Sequence, residues 1–380
     1  MTMIDLDQNA TTPLDPDVLE AMRPHWLASG NAESRHGLGR RARRAWDQAI
    51  EIVASVLNAS PSEVVFTSGG TEANNLALFG LADPARGLGQ IVLSPIEHPA
   101  VAEPIARLKT LGFVVDCGEV NYEGIANVES MPIGPTTRVA TLMLANNETG
   151  AIQPVHELVA KAKAWNVPVH TDAVQAVGKI PVDFHALDVA TLACSAHKFH
   201  GPAGVGALLI RKGVNLTPMF FGGSQQRGLR PGTVPVALAV GLSVALEKAD
   251  REGELRRARW IKMRDALESG LIEALGAEHV IRNGPLDDSL RLPQTLNVAF
   301  PSLDGDALLI GLDQAGIAAS LGSACASGAT RPSPTLVAMG LPRSRLRSSV
   351  RLSLGAFTSE DEIPLVIRQI AQMIRRMNQN

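Results

Sequence analysis

Short β-branched runs alternate along the first two thirds of the chain with longer stretches whose apolar residues recur every three to four positions. Period-2 or continuous apolar runs predict strands at 63–67, 90–94, 113–117, 138–144, 167–172, 188–194 and 205–210. Helical spacing predicts helices at 38–57, 72–82, 99–111 and 155–165, with Pro99 and Pro154 suited to helix starts. This alternation predicts an α/β fold, a mostly parallel sheet with helices on both faces. A Gly/Pro-rich passage at 222–235 is followed by helical stretches at 236–250 and 251–276. The rhythm then changes to strands near 294–300, 317–320 and 349–354 and helices near 305–315 and 360–377. The expected division is a large domain over 15–250 and a smaller α+β domain made of 1–14 and 251–380.

Composition narrows the function classes. The 380 residues carry 45% hydrophobic and 19% charged positions, an ordinary globular balance, and a formal net charge of −3. Such a balance gives no broad cationic face, so neither nucleic acid nor a membrane is an expected partner. The cluster Arg40, Arg41, Arg43 and Arg44 reads as the solvated face of a helix. Three widely spaced cysteines, Cys117, Cys194 and Cys325, predict neither a disulfide framework nor a metal site. With an acidic N-terminus that lacks an apolar run, this places the protein in the cytoplasm.

The candidate chemistry follows the predicted strands, where open α/β sheets bind ligands. Lys198 lies just past the strand 188–194, although a lysine in a loop is ordinarily a surface charge. In HTDAVQ, Asp172 ends a strand and Gln175 follows; a carboxylate there could pair with a protonated pyridine nitrogen, or merely cap a turn. In VVFTSGGTEANNLAL, Gly70 and Thr71 open a helix whose first amides could take a phosphate, with Ser195 and His197 as further donors. His98 of SPIEHPAV could lie on a ring and move protons, or cap its helix. Asn147 of ANNETG follows another strand. Each motif is weak alone, but five strand ends carrying these groups in order predict one site for pyridoxal phosphate.

With TSGGTEANNLAL, IEHPAV, ANNETG, HTDAVQAVGK, SAHKFHGPAGVGAL, RPGTVP and IAASLGSACASG, the chain resembles the cysteine desulfurases of the nitrogen-fixation and iron–sulfur assembly branch. The resemblance covers nearly the whole chain. It implies the aspartate-aminotransferase-like fold of class V aminotransferases (fold type I), a homodimer and pyridoxal 5'-phosphate as cofactor. By motif, Lys198 would hold the cofactor as a Schiff base, Asp172 the ring nitrogen, and Gln175 and Asn147 the ring oxygen. Gly70, Thr71, Ser195 and His197 would bind the phosphate, with Thr233 reaching in from the second subunit. His98 would stack on the ring, and Arg351 of VRLSLGAFT would clamp the carboxylate of L-cysteine, next to Asn147. Lys198 and His98 would remove the α-proton. Cys325, in a loop of Gly, Ser and Ala, would attack the substrate sulfur and keep it as a persulfide for an acceptor or cluster scaffold protein, releasing alanine.

Some positions depart from the family. Gln225 stands where a His is common, Asn31-Ala32 replaces Asn-Pro, and Ala203 replaces a frequent Lys. A short tail after the last helix leaves scaffold docking open. Rival readings are a selenocysteine lyase or aminotransferase of the same fold, and a non-catalytic partner protein.

Overall fold

The computed structural model describes residues 3–301, 303–321 and 332–377. The chain enters through β1 (Ile4–Asp5), α1 (Pro16–Leu27) and α2 (Gly37–Val56). Then come β2 (Val64–Thr67), α3 (Gly70–Ala82), β3 (Gln90–Leu93), α4 (Pro99–Thr110) and β4 (Val114–Cys117). The small pair β5 (Glu119–Val120) and β6 (Ala126–Asn127) precedes β7 (Thr137–Thr141), α5 (Val155–Lys163) and β8 (Val169–Asp172). The short helix α6 (Phe184–Leu187) leads to β9 (Thr191–Ser195) and β10 (Gly206–Ile210).

These strands build a seven-stranded sheet in the order β2-β10-β9-β8-β7-β3-β4, in which β10 runs antiparallel to both neighbours and the others are parallel. A sheet covered on both faces buries its strands on both sides, and the wholly buried runs of β2, β8, β9 and β10 follow from that. The consequence for function is directional. The ends of β2, β3, β7, β8 and β9 face the same side; Asp172 ends β8, and Gly70, His98, Asn147 and Lys198 each follow one of the others.

Beyond α7 (Val236–Arg251) and the long helix α8 (Gly253–Leu275), a second sheet forms. Its strands are β11 (Ile281–Arg282), β12 (Thr295–Ala299), β14 (Ser320–Leu321) and β15 (Ser349–Ser353), all antiparallel in the order β11-β12-β15-β14. Helices α9 (Gly305–Gln314), α10 (Pro334–Ala338), α11 (Arg343–Leu346) and α12 (Glu362–Met377) complete the described chain, with β13 (Ile317–Ala318) beside α9. A separate apolar core under this sheet includes Trp260, Leu296, Val350 and Ile370, and also Ile4 and Leu6 from the N-terminus. Residues 5–12 therefore lie between the two sheets, within reach of β15 on one side and of the turn after β9 on the other.

Three differences from the sequence expectations have local causes. The run 317–320 is two strands: β13 pairs in parallel with β1, whereas β14 pairs with β15, so the chain changes sheets between them. Strand β9 begins at Thr191 instead of 188, because Asp188 takes φ 55° to close α6. Helix α1 was not predicted, although Asp15 caps it and Pro16 stands at its first turn. Among the described residues no helix is long and apolar enough to cross a membrane.

Candidate active site

Asp172 ends β8, a strand that is wholly buried yet spells Val-His-Thr-Asp. Burying that much polarity requires partners. Asp172 Oδ1 accepts from the Val174 amide at 2.9 Å and Oδ2 from Asn74 Nδ2 at 2.7 Å. An ionised carboxylate only accepts, so Asn74 must turn its nitrogen to Asp172 and its oxygen to His170 Nε2, 2.9 Å away. That places a proton on Nε2 and leaves Nδ1 to accept from Thr191 Oγ1 at 2.9 Å. Burial drives His170 down to about 3, so the imidazole is neutral. A chain of donors thus ends on Asp172.

Gly70 opens α3 against this turn. A Cβ there would lie 2.7 Å from Val174 Cγ2 and 3.6 Å from Ser195 Cβ, so only glycine lets the helix start approach both strand ends. Gly206 is equally tight: its Cβ would meet the Gly69 carbonyl carbon at 2.7 Å. Thr71 is exposed at the same helix start, and Ser195 is buried at the end of β9. The first-turn amides of a helix are suited to an anion.

His98 is the N-cap of α4, its Nδ1 accepting from the Ala100 amide at 3.0 Å. The capping alternative and the site placement therefore hold together. Desolvation pulls its pKa down; Asp172 opposes this and Lys198 adds to it. His98, Asp172 and Lys198 are thus close enough to act on one another's protonation.

Lys198 follows β9 in a short turn, and its Nζ donates to the carbonyls of Asn9 at 2.8 Å and Ala10 at 2.7 Å. Burial, assisted by Arg351 and opposed by Asp172 and Asp7, lowers its pKa to about 8. His197 bonds Thr11 Oγ1 at 3.1 Å through Nδ1, and burial holds it at about 4. Gln175 donates from Nε2 to Asn9 O at 2.9 Å while its Oε1 accepts from the buried Lys179 Nζ, which fixes the amide as a donor on the Asn9 side.

Arg351 on β15 is 3% exposed. It donates to Asn147 O at 3.0 Å and to Asp7 Oδ1 at 2.6 Å, while its Nε is buried with no partner. Thr233 is exposed, and among the described residues no contact joins it to this group. Cys325 lies outside the described residues.

Six groups near the site did not stand out in the sequence. Asn74, His170 and Lys179 are buried behind residues that did, and Asp7 and Asn9 belong to an uncharged or acidic N-terminal run with no strand or glycine signal. Glu97 is the sixth neighbour. Its Oε1 accepts from the Met143 amide at 2.9 Å and its Oε2 is buried without a partner. Burial first, and then the nearby Asp172 charge, push it up to about 8.

The arrangement fits pyridoxal phosphate on three counts: a helix start where a Cβ cannot be accommodated, an acceptor-only carboxylate at a strand end, and a desolvated lysine bound to no carboxylate. Such groups at the strand ends of a mostly parallel sheet define an aspartate-aminotransferase-like enzyme of fold type I. Comparison with known proteins agrees. Residues 4–366 match the family described as Aminotransferase class-V. A cysteine desulfurase of Nostoc sp. is 41% identical over 382 residues, covering 99% of this chain and 94% of that protein. The structure of a NifS-like protein superposes with a TM-score of 0.91 at 37% identity, covering 98% of this chain and 100% of the other. That of SspA in complex with cysteine gives 0.79 at 33% identity, covering 94% and 100%. The chain belongs to the class-V aminotransferases and, within them, to the cysteine desulfurases, which use pyridoxal phosphate.

Proposed function

We propose that this protein converts L-cysteine to L-alanine and retains the sulfur on Cys325, with Lys198 as the lysine that binds the cofactor. The observation that carries this reading is the convergence of His98, Asp172 and Lys198 from three strand ends, with Arg351 facing the same space. Asp172 would hold the ring nitrogen; Gly70, Thr71, Ser195 and His197 the phosphate; Asn147 and Gln175 the ring oxygen. When bound, the cofactor supplies an electron sink for charge developing at the substrate α-carbon.

The protein's own groups divide the remaining work. Arg351 orients the substrate carboxylate through its free Nε and the adjoining donor. Lys198 takes the α-proton at Nζ; with a pKa of about 8, about a tenth of it is neutral at pH 7, far more than for an ordinary lysine. His98, with Nδ1 engaged as the cap acceptor, carries its proton on Nε2 and serves as a neutral donor over the ring. Cys325 then attacks the substrate sulfur: an S–S bond forms, the C–S bond breaks, and its electron pair passes to the carbon skeleton, which leaves as alanine. The persulfide is delivered to an acceptor protein in iron–sulfur or other sulfur-cofactor synthesis.

The enzyme is read as a cytoplasmic homodimer, in which the exposed Thr233 completes the neighbouring subunit's phosphate site. The free state of Cys117 and Cys194 agrees with a reducing compartment. The test is to incubate the holoenzyme with L-cysteine and a thiol and to measure alanine and sulfide together. Equal formation of both, lost in Cys325→Ala, is the expected result. Alanine formation that survives Cys325→Ala overturns the persulfide route.

A further inference from the structure

Lys198 Nζ rests on two consecutive peptide carbonyls, Asn9 O at 2.8 Å and Ala10 O at 2.7 Å. The segment that offers them is pinned from both sheets. The Asn9 amide donates to Ser353 Oγ at 2.9 Å, and Asn9 Nδ2 donates to Thr295 Oγ1 at 2.9 Å and Asn147 O at 3.2 Å. Asn9 Oδ1 accepts from Gln294 Nε2 at 3.2 Å. On the other side, the Thr12 amide donates to His197 O at 2.9 Å, and the His200 amide to Thr12 Oγ1 at 2.7 Å. Asn9 itself is 1% exposed. Its carbonyl is therefore held at a fixed place relative to the lysine turn.

We propose that the carbonyls of Asn9 and Ala10 form a resting site for the protonated amine of Lys198 whenever that lysine is free, with Asn9 as the residue that positions it. The proposal rests on the reading of Lys198 as the cofactor lysine and base. A lysine that takes a proton from carbon breaks a C–H bond, forms an N–H bond and becomes an ammonium in a desolvated place, where two neutral acceptors offset part of the cost. These acceptors act against burial, which favours the deprotonated amine. The site also empties cheaply. When Lys198 departs, Asn9 O keeps the hydrogen bond from Gln175 Nε2, and Ala10 is exposed, so water replaces the amine there. A carboxylate partner would have bound the ammonium too firmly for repeated release.

Two measurements test this. In the apoprotein, the pH dependence of Lys198 acylation, read by peptide mass, should have its midpoint near 8. Asn9→Ala should lower it to about 7, and the milder Thr295→Val should lower it by less. An unchanged midpoint in both folded variants assigns Asn9 a purely structural role and overturns the proposal. If Asn9→Ala does not fold, Thr295→Val decides. In the holoenzyme crystallised with L-alanine, Nζ should lie within hydrogen-bond distance of both carbonyls; an amine pointing elsewhere overturns it as well. Failure of the functional reading looks different: Lys198→Ala would retain the cofactor's visible absorption band, whatever the apoprotein titration shows.

Discussion

Behind Asp172 the buried groups are neutral near pH 7, whereas Arg351, across the site, is paired with a carboxylate. Around Asp172, His170 is held at about 3, Glu97 at about 8, and Asn74 supplies a neutral amide. Arg351 is paired with Asp7 at 2.6 Å, and Asp7 Oδ2 also accepts from Ser320 Oγ at 2.9 Å. On the proposed function, the first arrangement backs the carboxylate that would meet the ring nitrogen with neutral groups. On the same reading, the second keeps a cation countered by Asp7 until a substrate carboxylate arrives, which would add at the unpartnered Nε.

The largest effect separates cofactor from substrate. Lys198→Ala should abolish both the visible absorption band and alanine formation, while Arg351→Ala should leave the band intact. Loss of the band in Arg351→Ala would show that the two halves are not separable. Arg351→Ala should raise KM for L-cysteine roughly 100-fold with a smaller change in kcat, since it removes a charge-assisted carboxylate contact. A fall in kcat with unchanged KM would place Arg351 outside substrate binding. Next in size, Asn74→Ala strips Asp172 of its 2.7 Å donor and leaves His170 Nε2 facing a void. It should destabilise the fold by about 1–3 kcal/mol and weaken cofactor retention, measured by dialysis at fixed pH. Unchanged retention would mean that Asp172 needs no support.

The Asp172 half was legible because it is local. Strand, turn and helix follow within a few residues, so TSGGTEA, IEHPAV and HTDAVQ each carry their placement in their own order, and the structure sets them at strand ends on one side of the large sheet. The contacts of the other half span most of the chain: Asp7 to Arg351 across 344 residues, Asn9 to Thr295 across 286 and Lys198 to Asn9 across 189. No periodicity marks Asp7 or Asn9 as buried or partly buried, because the sheet that covers them is made from the other end of the chain. Arg351 was reached through family resemblance alone. Within the legible half, Asn74 and His170 were passed over for a different reason. A polar residue on a helix face or in a strand reads as exposed until its partner is known, and their partner is each other.

Glu97 gives the smallest effect on the cofactor and the finest probe of the contrast. Its carboxyl in the folded protein lies at about 8, above the 4.5 of an unburied glutamate. As pH rises through 4.5 the unfolded chain gives up this proton while the folded protein keeps it, so stability falls with rising pH until about 8 and then levels off. Glu97→Gln retains an acceptor for the Met143 amide, removes the titration and, above about pH 8, spares Asp172 a second negative charge. The variant should therefore gain on the wild type between pH 5.5 and 7.5 by up to about 1.4 kcal/mol per pH unit, read from denaturant midpoints. Its cofactor absorption should be unchanged near pH 6.5, where Glu97 is already neutral. Parallel stability curves would mean that Glu97 is ionised in the native protein, and Asp172 would then not be an isolated anion.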